Sequence, residues 1–113
     1  MHEYSLMLAM LERVEEESKA RQAIAVHRVR LRIGDLSGVE ADLVESAFEI
    51  VKAGTVCESA ALEIERVPAR WECSACGQPV VGGERLQCAA CGAPARLASG
   101  GEILLSQIEL EVP

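Results

Sequence analysis

Four of the five cysteines in this chain fall in two matched pairs, Cys73-Ser74-Ala75-Cys76 and Cys88-Ala89-Ala90-Cys91, separated by eleven residues. Two thiolates two residues apart can grip one metal ion, and a second pair completes a tetrahedron. Zn²⁺ accepts four sulfurs at about 2.3 Å and brings no redox chemistry of its own. Gly77 and Gly92 follow the two pairs and suit the sharp turn that aims backbone N–H groups at sulfur. The competing reading, two disulfides, needs an oxidising compartment. A closed site of four cysteines is structural, so it supplies a fold element and not an activity. Cys57 is unpaired and fits neither knuckle; it reads as a small packing residue near a strand start.

The second place where residue types and position allow chemistry is the amino terminus. The Met1 amine, the deprotonated backbone nitrogen of His2 and the His2 imidazole can form fused chelate rings in one plane. Planar nitrogen donors suit Ni²⁺ or Cu²⁺ better than Zn²⁺. Glu3 offers a fourth ligand through its backbone nitrogen or its carboxylate. Methionine removal is not expected before a bulky histidine, so Met1 should persist. Any chain that starts Met-His offers these atoms, and a frayed, inert terminus is the plain alternative.

The elements that must position these groups can be read from periodicity. Residues 3–19 carry Tyr4, Met7, Leu8, Leu11 and Val14 at helical spacing, with Glu12, Arg13, Glu15 and Glu16 largely off that stripe. Residues 24–33 alternate, with Val29, Leu31 and Ile33 on one side and Arg28, Arg30 and Arg32 on the other. His27 is in step with the apolar side and reads as a structural histidine. Ser37-Gly38-Val39-Glu40 has the spacing of a capping box. The helix it would open carries Leu43, Val44, Ala47, Phe48 and Val51 on one face and stops at Gly54. Residues 60–67 place Leu62 and Ile64 inward and Glu63 and Glu65 outward. The cysteine segment follows, with turns at Gly82-Gly83 and Gly100-Gly101. A last strand over 102–112 places Ile108, Leu110 and Val112 inward and Gln107, Glu109 and Glu111 outward.

The outward faces predict the strand order. Opposite charges across neighbouring strands are favourable and like charges are not. The arginine strand should therefore lie between the two glutamate strands, with both helices on its apolar side; ion pairing, not anion capture, occupies the arginines. The fold class is α+β, two helices packed on one face of a three-stranded sheet, with an inserted four-cysteine, zinc-ribbon-like subdomain. The expected division is 1–68 plus 100–113 for the helix–sheet domain and 69–99 for the zinc subdomain.

Composition narrows the function. The chain has 113 residues, half of them apolar, and a formal net charge of −7. Four zinc-bound thiolates would add about two negative charges. Phosphate-backbone binding needs clustered cations, so nucleic acid is not an expected partner. No apolar run reaches the roughly 18 residues of a membrane-spanning helix. Glu3 sits where a signal peptide would be basic, and the apolar stretch 6–11 is short for one, so a cytoplasmic location is expected. No nucleophile elbow, phosphate loop or paired-carboxylate pocket is present, and no enzyme is expected.

Met1-His2-Glu3-Tyr4-Ser5, the arginine strand leading into Ile33-Gly34-Asp35-Leu36-Ser37, the helix with Glu45-Ser46-Ala47-Phe48-Glu49, and the two cysteine knuckles, in that order, resemble the HypA/HybF family of hydrogenase-maturation nickel metallochaperones. The resemblance covers essentially the whole chain. It implies Ni²⁺ as cargo at Met1, His2 and Glu3, and a structural Zn²⁺ on Cys73, Cys76, Cys88 and Cys91. It also implies a HypB-type GTPase and a nickel–iron hydrogenase large-subunit precursor as partners. Some members serve urease maturation, which would add urease accessory proteins. A homodimer is left open. The other readings are a zinc-ribbon interaction module or a nucleic-acid-binding protein, each with an inert terminus; the −7 charge counts against the second.

Overall fold

The computed structural model describes residues 2–81 and 86–113, with His2 described by its backbone alone. Met1, the His2 side chain and the Gly82-Gly83 turn lie outside the described residues. Helix α1 spans His2–Ala20, with Glu3 in its first turn and Lys19 in its last, both matched to the helix dipole. Its buried side chains are Met7, Met10, Leu11, Val14 and Ser18. The buried stripe is therefore rolled from the expected one: Met10 joins it, while Tyr4 and Leu8 stay 36% and 44% exposed on its flank. The helix has to face the sheet and a second helix at once, and the surface they cover extends to the Met10 side of the stripe. At its end the Gln22 N–H reaches the Lys19 carbonyl at 3.2 Å and the Ala23 N–H reaches that of Ser18 at 2.9 Å. These are the two bonds of a Schellman cap, with Gln22 holding the left-handed position at φ 54°.

Strand β1 (Ala25–Gly34) runs in the centre of a mixed sheet, between β2 (Ala61–Val67), parallel to it, and an antiparallel strand Ile103–Glu111. Arg30 faces Glu63 and Arg32 faces Glu65 on one side, and Arg28 faces Glu109 on the other. Their side chains meet at 2.8 Å (Arg30–Glu63), 2.9 Å (Arg32–Glu65), 3.2 Å (Arg28–Glu63) and 3.6 Å (Arg28–Glu109). The charge argument for a central arginine strand is borne out at each pair.

Two bulges break strict alternation. The register between β1 and the antiparallel strand shifts between Val26 and Arg28, which turns Val26 into the core and His27 out to solvent. His27 is thus not a core residue; its Nε2 lies 3.3 Å from Glu111. A second shift, between Arg30 and Leu31, leaves Ser106 as the extra residue, with its hydroxyl on the Arg30 carbonyl at 3.2 Å. An extra residue reverses the parity of everything beyond it. Ile103 and Leu105 accordingly join Ile108 and Leu110 against the core. Val112 lies past the end of the strand, 53% exposed, not inward.

Helix α2 (Ala41–Val51) is the crossover between β1 and β2 and packs beside α1. It buries Ala41, Val44, Ala47 and Phe48; Leu43, expected on that face, is 44% exposed. The capping box does not form. Glu40 is the N-cap and makes no side-chain cap bond, while the Ser37 hydroxyl accepts the Val39 N–H at 3.4 Å in a local turn. A serine hydroxyl bonds equally well to the backbone two residues on, and here that ends the loop before the helix begins. Gly54 is left-handed at φ 76°, just past the C-cap Lys52. Cys57 is fully buried against this core, and burial, with Glu15 nearby, pushes its thiol up to about 11.

Between β2 and the last strand the chain builds a second, smaller sheet, β4-β3-β5, from β3 (Arg70–Cys73), β4 (Pro79–Val80) and β5 (Ala95–Ser99); Ile103–Glu111 is then β6. The two sheets meet at a backbone node. The Leu36 N–H donates to the Gly100 carbonyl at 2.8 Å, Gly34 to Glu102 at 2.9 Å and Asp35 to Val67 at 2.9 Å. A Cβ on Gly34 would stand 2.1 Å from the Gly100 carbonyl oxygen, so only glycine permits this crossing.

Candidate metal centre

Each cysteine pair sits on the same backbone device. The Cys73 N–H donates to the Gln78 carbonyl at 2.8 Å and the Gly77 N–H returns to Cys73 at 3.0 Å; Cys88, Ala93 and Gly92 repeat this at 2.9 Å each. Gly77 and Gly92 take φ values of 74° and 75°, as the turn reading expects. In each pair the first cysteine is buried and the second exposed. The strand β3 delivers Cys73, and the second knuckle is strapped to the first by Ser74, whose N–H and hydroxyl both donate to the Pro94 carbonyl at 3.1 and 2.7 Å. The sequence reading missed Ser74, which looked like a neutral spacer; no periodicity marks a hydroxyl that clamps a distant loop.

The four Sγ atoms lie within 4.8 Å of one another. Cys73 and Cys91 are 3.3 Å apart, Cys76 and Cys88 3.7 Å, and Cys76 and Cys91 3.9 Å. A tetrahedron of sulfurs about 2.3 Å from zinc has edges of roughly 3.8 Å, so the cluster is the right size. The same distances are far from the roughly 2.05 Å of a disulfide. The N–H groups of Cys76 and Ala75 point at the Cys73 sulfur at 3.3 and 3.4 Å, and with thiol–thiol bonding they bring its thiol down to about 6. Backbone N–H groups of Cys91 and Ala90 lower Cys88 in the same way. The Cys91 sulfur also receives a backbone N–H, from Ala93, but its bonds to the Cys73 and Cys88 sulfurs outweigh that and push it up to about 12. Backbone N–H groups thus favour the thiolate form at the buried member of each pair, and metal binding releases the remaining thiol protons. Four sulfurs with no free position fit a structural zinc, whose chemistry is to hold the two knuckles together.

Met1 and the His2 side chain, expected as nickel ligands, lie outside the described residues. Glu3 lies in the first turn of α1, at the start of the chain, and is half-buried.

Residues 1–110 match the family described as hydrogenase/urease nickel incorporation, metallochaperone, HypA. The hydrogenase maturation factor HypA of Nitrosospira multiformis is 43% identical over 112 residues, spanning 97% of each chain. That of Shewanella oneidensis is 41% identical, spanning 98% of this chain and 96% of its own. The solution structure of the Ni metallochaperone HypA from Helicobacter pylori superposes with a TM-score of 0.75 at 28% identity over 98% of both chains. A second HypA solution structure gives 0.81 at 30% identity, over 97% of this chain and 96% of that one. With its two helices, its mixed three-stranded sheet and its four-cysteine cluster, the chain belongs to the HypA family of hydrogenase-maturation nickel metallochaperones.

Proposed function

We propose that this chain carries Ni²⁺ at its amino terminus, through the Met1 amine, the His2 amide nitrogen and the His2 imidazole, with Glu3 as the fourth contributor. It acts as a carrier and not as a catalyst, in the cytoplasm. Cys73, Cys76, Cys88 and Cys91 hold the structural Zn²⁺. Nickel passes onward with a HypB-type GTPase to the precursor of a hydrogenase large subunit; a urease and its accessory proteins are the alternative recipients. Residues 1–68 and 100–113 form the nickel-binding domain and 69–99 the zinc domain.

The observation that carries this reading is the family match, which begins at residue 1 and so includes Met1-His2-Glu3. The helix start supports it physically. Helix α1 begins at His2, and the first four N–H groups of a helix have no intrahelical partner. Deprotonating the His2 amide for a metal therefore breaks no helical bond. The positive end of the helix dipole opposes a dication there, while the deprotonated amide and Glu3 offset it. That balance suits a site that must release its cargo.

Nickel titration of protein with a native, unextended terminus tests the reading. His2→Ala should lose tight nickel binding and keep its zinc, and an extension that turns the Met1 amine into an amide should weaken binding. Wild-type affinity in the His2→Ala protein would remove the terminal site.

A further inference from the structure

Strand β6 is an edge strand: among the described residues it pairs with β1 alone. The Glu111 carbonyl accepts the Ile24 N–H and the Glu102 carbonyl accepts the Gly34 N–H, both across to β1. Antiparallel strands turn alternate residues to opposite neighbours, so the backbone groups of Ile108 and Leu110 face away from the sheet. A groove of about 530 Å³ runs along this edge, with Ile108 and Leu110 against it and Arg13, Glu17 and Arg21 of α1 forming one wall. Arg13 makes no ion pair among the described residues, and Arg21 has only an exposed one to Glu17, at 3.7 Å. On the outer face the charges alternate across the sheet: glutamates on β2, arginines on β1, glutamates on β6. The next column in that pattern is cationic.

We propose that the free edge of β6 docks an extended segment of a protein partner as a fourth strand. Its outward side chains are basic and lie beside Glu109 and Glu111. Its inward side chains are apolar against Ile108 and Leu110, with a carboxylate for Arg13 and Arg21. Backbone pairing supplies affinity and the two faces supply selectivity, the usual division of labour in strand addition. A second copy of this chain is a poor occupant, because a two-fold antiparallel pairing of β6 centred on Leu110 sets Glu109 opposite the Glu111 of its copy, like charge against like. The bulge at Ser106 blunts the same self-pairing.

The test uses the full zinc-loaded chain without nickel, which keeps its outcome separate from that of the nickel titration. The probe is a blocked peptide of about nine residues, a common strand length, alternating lysine with valine and carrying one glutamate in place of a valine. The control has the same composition in blocks. The alternating peptide should bind more tightly than the control and should protect the Ile108 and Leu110 amides from hydrogen exchange. Arg13→Glu combined with Arg21→Glu changes only exposed side chains and makes the protein more acidic. Docking predicts that this double variant binds about threefold to tenfold more weakly, as for two exposed ion pairs. Plain attraction of a basic peptide to an acidic protein predicts tighter binding. Equal binding of the block control, absence of protection on β6, or unchanged or tighter binding by the double variant would overturn the proposal.

Discussion

Beneath β2-β1-β6 lie Phe48, Leu31, Val14 and Met7, each no more than 1% exposed. In β4-β3-β5 and its loops, residues 69–99, the buried side chains among the described residues are Cys73 and Cys88, while Leu86 and Leu97 stay 38% and 37% exposed. The two sheets have three strands each, yet only the first excludes water from apolar side chains. A segment that buries so little cannot offset the conformational entropy of ordering it, which is roughly 1–2 kcal/mol per residue for the backbone alone. The larger sheet draws on the hydrophobic effect and the smaller one on metal–sulfur bonds. The lesson is that a sheet is a hydrogen-bonding pattern, and what stabilises it has to be located separately.

The sharpest way to break the contrast is to remove the metal. Elemental analysis of the purified protein should find one zinc per chain, and stripping with a chelator, or Cys73→Ser, should abolish it. Hydrogen exchange over 69–99 should then rise to near unprotected rates, because metal binding supplies this segment's folding free energy. The amides of β1 should stay protected. Loss of protection in both sheets together would show one cooperative unit where two are argued. The Gly34–Gly100 node is where such coupling would pass.

The converse experiment strikes the hydrophobic side. Phe48→Ala removes the one aromatic of the main core, with a cost of about 3–5 kcal/mol, read as a lower midpoint in urea melts. Zinc content should stay at one per chain in the folded fraction, since no cysteine ligand touches that core.

The smallest effect sharpens what the charged face contributes. Glu63 is held below its ordinary value of 4.5 by its hydrogen bonds from Arg30, with Arg28 adding to the effect. A carboxyl depressed in the folded state contributes stability that is present above its unfolded value and lost as pH falls through the folded one. Wild type should therefore exceed Glu63→Gln at pH 7, and the difference should vanish as pH drops below the Glu63 value. The gap should also shrink with salt, because this face is open to water. A difference that persists unchanged at pH 2 would assign the effect to packing and not to charge.

Much of this architecture was legible in residue pattern. The order α1, β1, α2, β2 and β6 followed from the switch between helical and alternating periodicity, whereas the short strands β3, β4 and β5 showed no period of their own. The strand order followed from charge, because three arginines at alternate positions need opposite neighbours, and Glu63, Glu65 and Glu109 supply them. Two cysteine pairs at metal spacing, each followed by glycine, defined the knuckles because the ligand set and the turn are both local. What the tertiary structure alone decided is what depends on residues distant in the chain. The bulges that turn His27 outward and make Ser106 the extra residue exist only in the register between β1 and β6. Which side of α1 is buried depends on where the sheet and α2 lie together, so Met10 goes in and Tyr4 and Leu8 stay on the flank. The Ser37 hydroxyl bonds within its own loop, which moves the start of α2 to Ala41. The Gly34–Gly100 crossing and the Ser74–Pro94 strap join segments far apart in sequence. A local pattern encodes the geometry of one element, and these contacts take their geometry from two.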